Sequence, residues 1–382
     1  MELNPDIEFI RQLKKYGGND LKKCFQCATC SVVCNLSPEE NAFPRKEMLW
    51  ANWGLKEKLV KDIDVWLCHY CNDCTAQCPR GAKPGNVMSA IRYSVIEEYA
   101  IPKFLTRVYS NPKFLVLLIL IPLALFSLFF YNNIGGDFSQ LHQGTIVFAQ
   151  FFPHSYLEIF WIGGNIIIFG LAAFSLLKYN SEVRQHYKQK PESGFLQALI
   201  LTIQEIILHK KFADCDAKSS RKIAHLLVLF GFFGAMATAG LALIADIVFG
   251  MPAPIPFFHP IKILGSLSGI AILTGCTIFV VRRLTNKDNN LKSTYIDWSF
   301  LLFLYLVGIT GLSTQFTRIA QIPELAYGIY ILHLTAIFIL LWFVMYSKFA
   351  HIFYRTLSMI IAKQYGRNQK KSYDNLNLKV NI

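Results

Sequence analysis

Hydrophobic and polar positions divide this chain into two regimes. Through about residue 110 charged and apolar residues are mixed, with short turns at Gly17-Gly18 and Pro84-Gly85 and with Trp50, Trp53 and Trp66 available for a small core, which predicts a mostly helical unit outside the lipid. After Pro112 the pattern changes abruptly. Mainly apolar stretches fall at about 114–131, 157–177, 223–249, 261–281, 297–316 and 325–346, each long enough to cross a hydrocarbon layer about 30 Å thick. The stretch 195–208 is shorter and carries Gln197, Gln204 and Glu205, so it predicts an amphipathic helix lying at the interface. The expected fold is all-α: an N-terminal unit over 1–110, six spans within 111–360, and a cytoplasmic tail over 361–382 whose Asn/Lys-rich end, 370–382, is expected to be loose.

Charge then sets the orientation. The net charge of +13 comes from 38 Lys+Arg against 25 Asp+Glu. With the N-terminal unit in the cytoplasm, twenty of the basic residues fall in the loops 178–222 and 282–296 and the segment 347–382, whereas Arg318 is the single one in the outer loops. That asymmetry places both termini in the cytoplasm of an inner-membrane protein. It also accounts for most of the basic excess, so a nucleic-acid partner is not expected.

Eight of the ten cysteines lie within the first 78 residues. The N-terminus is polar and lacks the apolar core of a signal peptide, so reduced thiols that bind metal are expected in place of disulfides. Their spacing is Cys24-x2-Cys27-x2-Cys30-x3-Cys34 and Cys68-x2-Cys71-x2-Cys74-x3-Cys78-Pro79. Three thiolates from one tight loop hold one corner of a cubane cluster, and the fourth, just beyond, ligates the other cluster. The expected assignment is Cys24, Cys27, Cys30 and Cys78 around one [4Fe–4S], and Cys68, Cys71, Cys74 and Cys34 around a second. Zinc has no use for a third cysteine at the same interval. No GxGxxG follows a strand, so the unit carries single electrons and performs no hydride chemistry. Cys215 and Cys276 are expected to be inert.

Ionisable residues within spans are costly and mark function. His333 and His351 are 18 residues apart. On one continuous helix they share a face and stand about 27 Å apart, one near each side of the membrane. That is the geometry for two stacked haems b, each needing a second imidazole. His225 is the expected partner of His351 in the inner haem. For the outer haem, His259 is preferred over His154 as partner of His333. Asp246 and Lys262 are candidates for a quinone pocket, with Lys262 one turn from His259, or else they form an ion pair. The small-residue run Gly231, Gly234, Ala235, Ala237, Ala239, Gly240 predicts a helix-packing surface.

The segment from Cys24 to Arg92, including FPRK at 43–46, CxxCxxCxxxCPRG at 68–81 and VMSAIR at 87–92, resembles the iron–sulfur C subunit of heterodisulfide reductases. The segment from about 220 to 355, with RKIAH at 221–225 and HLTAIFILLWFVMYSKFAHIFYR at 333–355, resembles the cytochrome b subunit of respiratory nitrate reductase and the related membrane subunit of heterodisulfide reductase. Joined in one chain, the halves resemble the membrane C subunit of the quinone-interacting membrane-bound oxidoreductase (Qmo) family. The resemblance implies electron exchange between menaquinone and two soluble flavin- and iron–sulfur-containing subunits, and through them adenylylsulfate (APS) reductase in dissimilatory sulfur metabolism. It places His225, His333 and His351 at haem-ligand positions and Lys262 at a quinol-site lysine. It also departs at one position, since the second histidine expected ten residues after His225 is Ala235, so the outer haem needs another ligand such as His259, is five-coordinate, or is missing. The competing expectations are the membrane subunit of a heterodisulfide- or sulfite-reductase-linked complex, and a haem-free anchor or ion translocator tethering a ferredoxin module.

Overall fold

The computed structural model describes residues 4–187, 190–208, 219–251, 254–285 and 293–367; Cys215 lies outside them. Among the described residues the secondary structure is helical, with no strand. The N-terminal unit comprises α1 (Ile7–Lys15), α2 (Thr29–Val32), α3 (Arg45–Asn52), α4 (Lys56–Val60), α5 (Asp64–Leu67), α6 (Asp73–Ala76), α7 (Pro84–Tyr99) and α8 (Lys103–Ser110). Helix α7 is its axis, buried along most of its length from Pro84 to Tyr99, with Pro84 in the first turn where a missing N–H costs nothing.

The second part contains α9 (Leu115–Asn133), α10 (Phe148–Phe151), α11 (His154–His186), α12 (Phe195–Leu208), α13 (Ser219–Ile247), α14 (Pro260–Leu284), α15 (Tyr295–Ile319), α16 (Pro323–Trp342) and α17 (His351–Gln364). Six of its helices, α9, α11 and α13 to α16, are long and apolar enough to cross a membrane. Helix α12 is not among them, and its Glu205 pairs with Lys363 of α17 at 2.5 Å.

Helices α13 and α14 pack through small residues. A Cβ placed on Gly234 would collide with Ser268 Oγ, and one on Gly275 would meet Val228 Cγ2 at 2.7 Å and the Ala224 carbonyl at 2.8 Å. Close backbone approach is the main source of association where hydrophobic burial gives none. Gly275→Val is therefore expected to push α13 away from α14 and destabilise the bundle by about 1–3 kcal/mol, read as a lowered unfolding temperature in detergent.

Two expectations are corrected. The last span does not run on to His351: α16 stops at Trp342, and α17 starts at His351 after a turn and a short 3₁₀ segment, Lys348–Ala350. The apolar pattern would have carried the helix through, but contacts with other elements hold the chain open. Tyr93 donates to the Tyr346 carbonyl at 3.1 Å, Tyr346 donates to the Ile101 carbonyl at 2.5 Å, and Lys348 pairs with Asp297. His333 and His351 therefore do not share one helix. The tail expected from residue 361 is also wrong at its start, because Met359 to Ala362 and Gln364 are buried in α17. Just past it Arg367 pairs with Asp64 and donates to the carbonyls of Glu40 at 2.7 Å and Asn41 at 2.9 Å.

Arg367 completes a buried ionic cluster. Lys46 Nζ lies 2.7 Å from Asp64, 2.8 Å from Asp62 and 3.3 Å from Glu47. Burial, which the Lys46 charge only partly offsets, pushes the Glu47 carboxyl well above the usual range. The two parts of the chain thus share ionic contacts as well as one continuous hydrophobic core that runs from Phe9 and Leu13 through Trp66 to Ile339 and Tyr354.

Candidate functional site

The two cysteine runs fold as conformational duplicates. In each, the second and fourth residues after the first cysteine have positive φ: Gln26 (60°) and Ala28 (68°) in one, Tyr70 (54°) and Asn72 (83°) in the other. Left-handed backbone at non-glycine residues is strained and survives where something else fixes it. Here it curls the chain so that N–H groups reach sulfur, as Tyr70 N does to Cys68 Sγ and Ala82 N to Cys78 Sγ, both at 3.4 Å.

The folded loops bring Cys24, Cys27, Cys30 and Cys78 around one small hollow, rimmed by Arg45 and Arg80. Cys34 lies instead with the second run. Burial raises its thiol to about 12, and the neighbouring Cys68 and Cys71 add to the shift. Cys74 is raised by burial and then by Cys68, Cys71 and Cys34. In the first set Cys30 is raised to about 11 by burial and then by Cys24, Cys78 and Cys27. Burial first, and the neighbouring thiols second, thus disfavour thiolates here, and a bound metal would supply the charge that offsets both. Tetrahedral zinc would draw sulfurs to about 3.8 Å of one another, given a Zn–S bond of about 2.3 Å. Among the described residues, the only three or more ligand atoms within 4.8 Å of one another belong to Glu47, Asp62 and Asp64, so neither cysteine set has the zinc spacing. A cubane holds each thiolate on a different iron and needs the wider arrangement. The first set reaches the surface at Cys27, which is exposed, whereas Cys68 and Cys74 of the second are buried.

Behind the second set lies a cavity of about 380 Å³ between the N-terminal unit and α13, α14, α15 and α17. Both His225 and His351 line it. His351 Nδ1 faces the Lys348 carbonyl at 2.7 Å; a carbonyl only accepts, so the ring proton resides on Nδ1 and Nε2 keeps its lone pair. Burial depresses this imidazole to about 4, which keeps it in the neutral form that ligates metal. The walls carry Arg92, Arg221, Arg282, Arg283, Arg355 and Lys348 against two carboxylates, Asp297 and Glu205, which pair with Lys348 and Lys363. Trp66, 1 % exposed, also lines the cavity, and its buried indole N–H has no partner. Two imidazoles, a surplus of guanidinium and an orphan donor fit a planar group that binds through its metal and bears carboxylates, which describes haem b.

His333 lies elsewhere, against α15, where Thr310 Oγ1 meets its Nδ1 at 2.9 Å and a Cβ on Gly311 would approach its Cε1 to 2.9 Å. Its expected partner is not beside it. Gly269 packs on Leu312 and Ser266 bonds Gln315, so His333 is level with about residue 270 of α14, some 16 Å along the axis from His259. His259 instead caps α14, its Nδ1 accepting from the Ile261 N–H at 3.3 Å. Along α14, His259 therefore stands at the helix start and His333 at the level of its middle. Lys262 lies one turn into α14 and Asp246 near the end of α13, both away from the N-terminal unit, with Arg318 within Coulomb range of Lys262. Cys276 is buried and lines the His225 cavity.

Three residues at this site were missed in the sequence: Arg92, Arg221 and Arg355. Arg221 counted there as loop charge and as part of the RKIAH motif, although its place one helical turn before His225 puts both on one face of α13.

A family model described as a 4Fe-4S dicluster domain matches residues 20–82, which makes the N-terminal unit an iron–sulfur module. Over 89 residues the chain is 36% identical to the C subunit of H(2):CoB-CoM heterodisulfide,ferredoxin reductase of Methanothermobacter marburgensis, covering 23% of this chain and 48% of that one. It is 38% identical over 90 residues to a protein of Archaeoglobus profundus described as like the C subunit of heterodisulfide reductase, again 23% of this chain and 48% of the relative. The chain thus spans about half the length of these relatives. Citrate utilization protein B of Escherichia coli is 26% identical over 319 residues, 79% of this chain and 82% of the relative. No solved structure matches. The model described as citrate utilization protein B matches residues 115–372, and the chain belongs to that family.

Proposed function

We propose that this protein is a membrane electron-transfer subunit that passes electrons between a membrane quinone and soluble partners through two [4Fe–4S] clusters and one haem b. The observation that carries the reading is the cavity shared by His225 and His351, because its wall is the same loop that bears the second cysteine set. When bound, the clusters and haem supply one-electron transfer at potentials set by their surroundings. The chain does the rest. Cys24, Cys27, Cys30 and Cys78 hold the exposed cluster, where a partner docks. Cys34, Cys68, Cys71 and Cys74 hold the buried one. His225 and His351 would hold the haem iron, and cavity arginines other than Arg221 would meet its carboxylates.

The N-terminal unit and both termini face the cytoplasm on this reading, as the basic loops require. Lys262, with Asp246 nearby, offers hydrogen bonds to a quinone at the opposite end. Menaquinone, two soluble flavin- and iron–sulfur-containing subunits and APS reductase are the partners implied by the Qmo resemblance. A heterodisulfide-linked complex is the second reading, favoured by the two heterodisulfide reductase relatives of the N-terminal unit.

The test is a visible spectrum of the purified protein with metal analysis. We expect a b-type band after dithionite that a menaquinol analogue also produces, one haem per chain and about eight non-haem irons. Zinc, or no porphyrin, would end this reading and leave a membrane anchor.

A further inference from the structure

Arg221 Nη2 donates to the His69 carbonyl at 3.3 Å and Nη1 to the Tyr70 carbonyl at 2.5 Å. The first of these carbonyls belongs to the peptide whose N–H, on Tyr70, donates to Cys68 Sγ at 3.4 Å. One peptide unit therefore joins a guanidinium in the wall of the histidine cavity to a ligand sulfur of the second cysteine set. On α13 the same arginine stands one turn before His225. Arg355 supports the arrangement, donating to the carbonyls of Trp66 at 2.9 Å and Cys68 at 3.0 Å.

We infer that Arg221 is the residue that couples the second cluster to the haem: it polarises peptide 69–70 so that the N–H on sulfur strengthens, favours the reduced cluster, and fixes the peptide that links Cys68 to the arginine. This rests on the cluster and haem assignments above. Hydrogen bonds in series reinforce one another in a low dielectric, and a positive donor at one end aids negative charge at the other. Reduction adds one electron to the cluster, so losing the guanidinium disfavours the reduced form. Arg221 is a positioning residue and touches neither reacting metal.

The experiment is a redox titration of the full-length protein in detergent, followed by electron paramagnetic resonance, with Arg221→Gln and Arg221→Lys. Loss of one charge-assisted hydrogen bond is worth about tenfold in the ratio of reduced to oxidised cluster, or about 59 mV for one electron. We expect that lowering at the second cluster in Arg221→Gln, no change at the first, and slower reduction, per haem retained, by a donor entering at the first cluster. Arg221→Lys keeps the charge but cannot span both carbonyls, and should shift the second cluster part-way. Equal potentials in all three proteins, or equal shifts at both clusters, would overturn the coupling. Absence of cluster or haem signals from the unsubstituted protein would instead overturn the function proposed above.

Discussion

Cys34→Ser is expected to empty the site built on Cys68, Cys71 and Cys74 while the site next to it keeps its iron. Cys34 is four residues from Cys30 in the chain, yet its thiol sits with Cys68 and Cys71, and burial combined with those neighbours drives it to about 12. Serine replaces a soft thiolate with a hydroxyl that stays protonated, so one iron of the second cluster loses its ligand. About half of the non-haem iron should be lost, and of the two cluster signals only one should remain. Cys78→Ser should give the reciprocal result, sparing the buried site. Loss of the Cys24, Cys27 and Cys30 cluster on replacing Cys34 would show that each run closes on its own fourth cysteine. The haem band reports whether the variant has folded, since the histidine cavity draws no ligand from Cys34.

The second large effect belongs to His351. His351→Ala should abolish the b-type band and leave both iron–sulfur signals in place. The side chain is fixed at one end by the Lys348 carbonyl, and Lys348 is fixed by Asp297, so the free ring nitrogen is aimed before any haem arrives. Truncation removes that ligand and enlarges an existing hollow without touching the cysteine loops. Imidazole added to the purified variant should then restore part of the band, as a cavity-filling free ligand does, and a variant that had merely unfolded would not respond. Persistence of a full band in His351→Ala would show that another side chain holds the iron.

How much of this was legible in the sequence depends on the range of the interaction. Cysteine spacing is local, so the two loops, their shared geometry and the iron–sulfur character could be read directly. Six apolar stretches likewise gave six helices, because span length is set by the thickness of lipid and not by neighbours. The break after Trp342 was hidden. Phe343, Val344, Met345 and Tyr346 continue an apolar pattern, and bonds to Tyr93, Ile101 and Asp297, each distant in sequence, join the local cap by Ser347 in turning the chain there. The relative depth of His333 and His259 was hidden for the same reason: depth in a bundle depends on how α14 and α15 are registered, which periodicity does not encode. Arg221 and Arg355 were invisible as site residues because an arginine near a membrane surface is ordinarily explained by orientation alone. The family of the membrane half was not read either, since its motifs pointed to nitrate reductase and Qmo proteins and not to citrate utilization protein B.

Trp66 lies flat on Tyr354 with ring centroids 5.3 Å apart, and Tyr354 in turn meets Tyr179 edge-on at 5.2 Å. A mobile carrier shuttles, binds and leaves, and its throughput is limited by encounter. Here the aromatic seam holds the iron–sulfur unit against the membrane helices, so on the function proposed above transfer between the two halves would depend on driving force and spacing and be indifferent to viscosity or dilution. Cutting the gene between Ser110 and Leu115 would consequently produce two sticky fragments in place of a free ferredoxin and a free anchor.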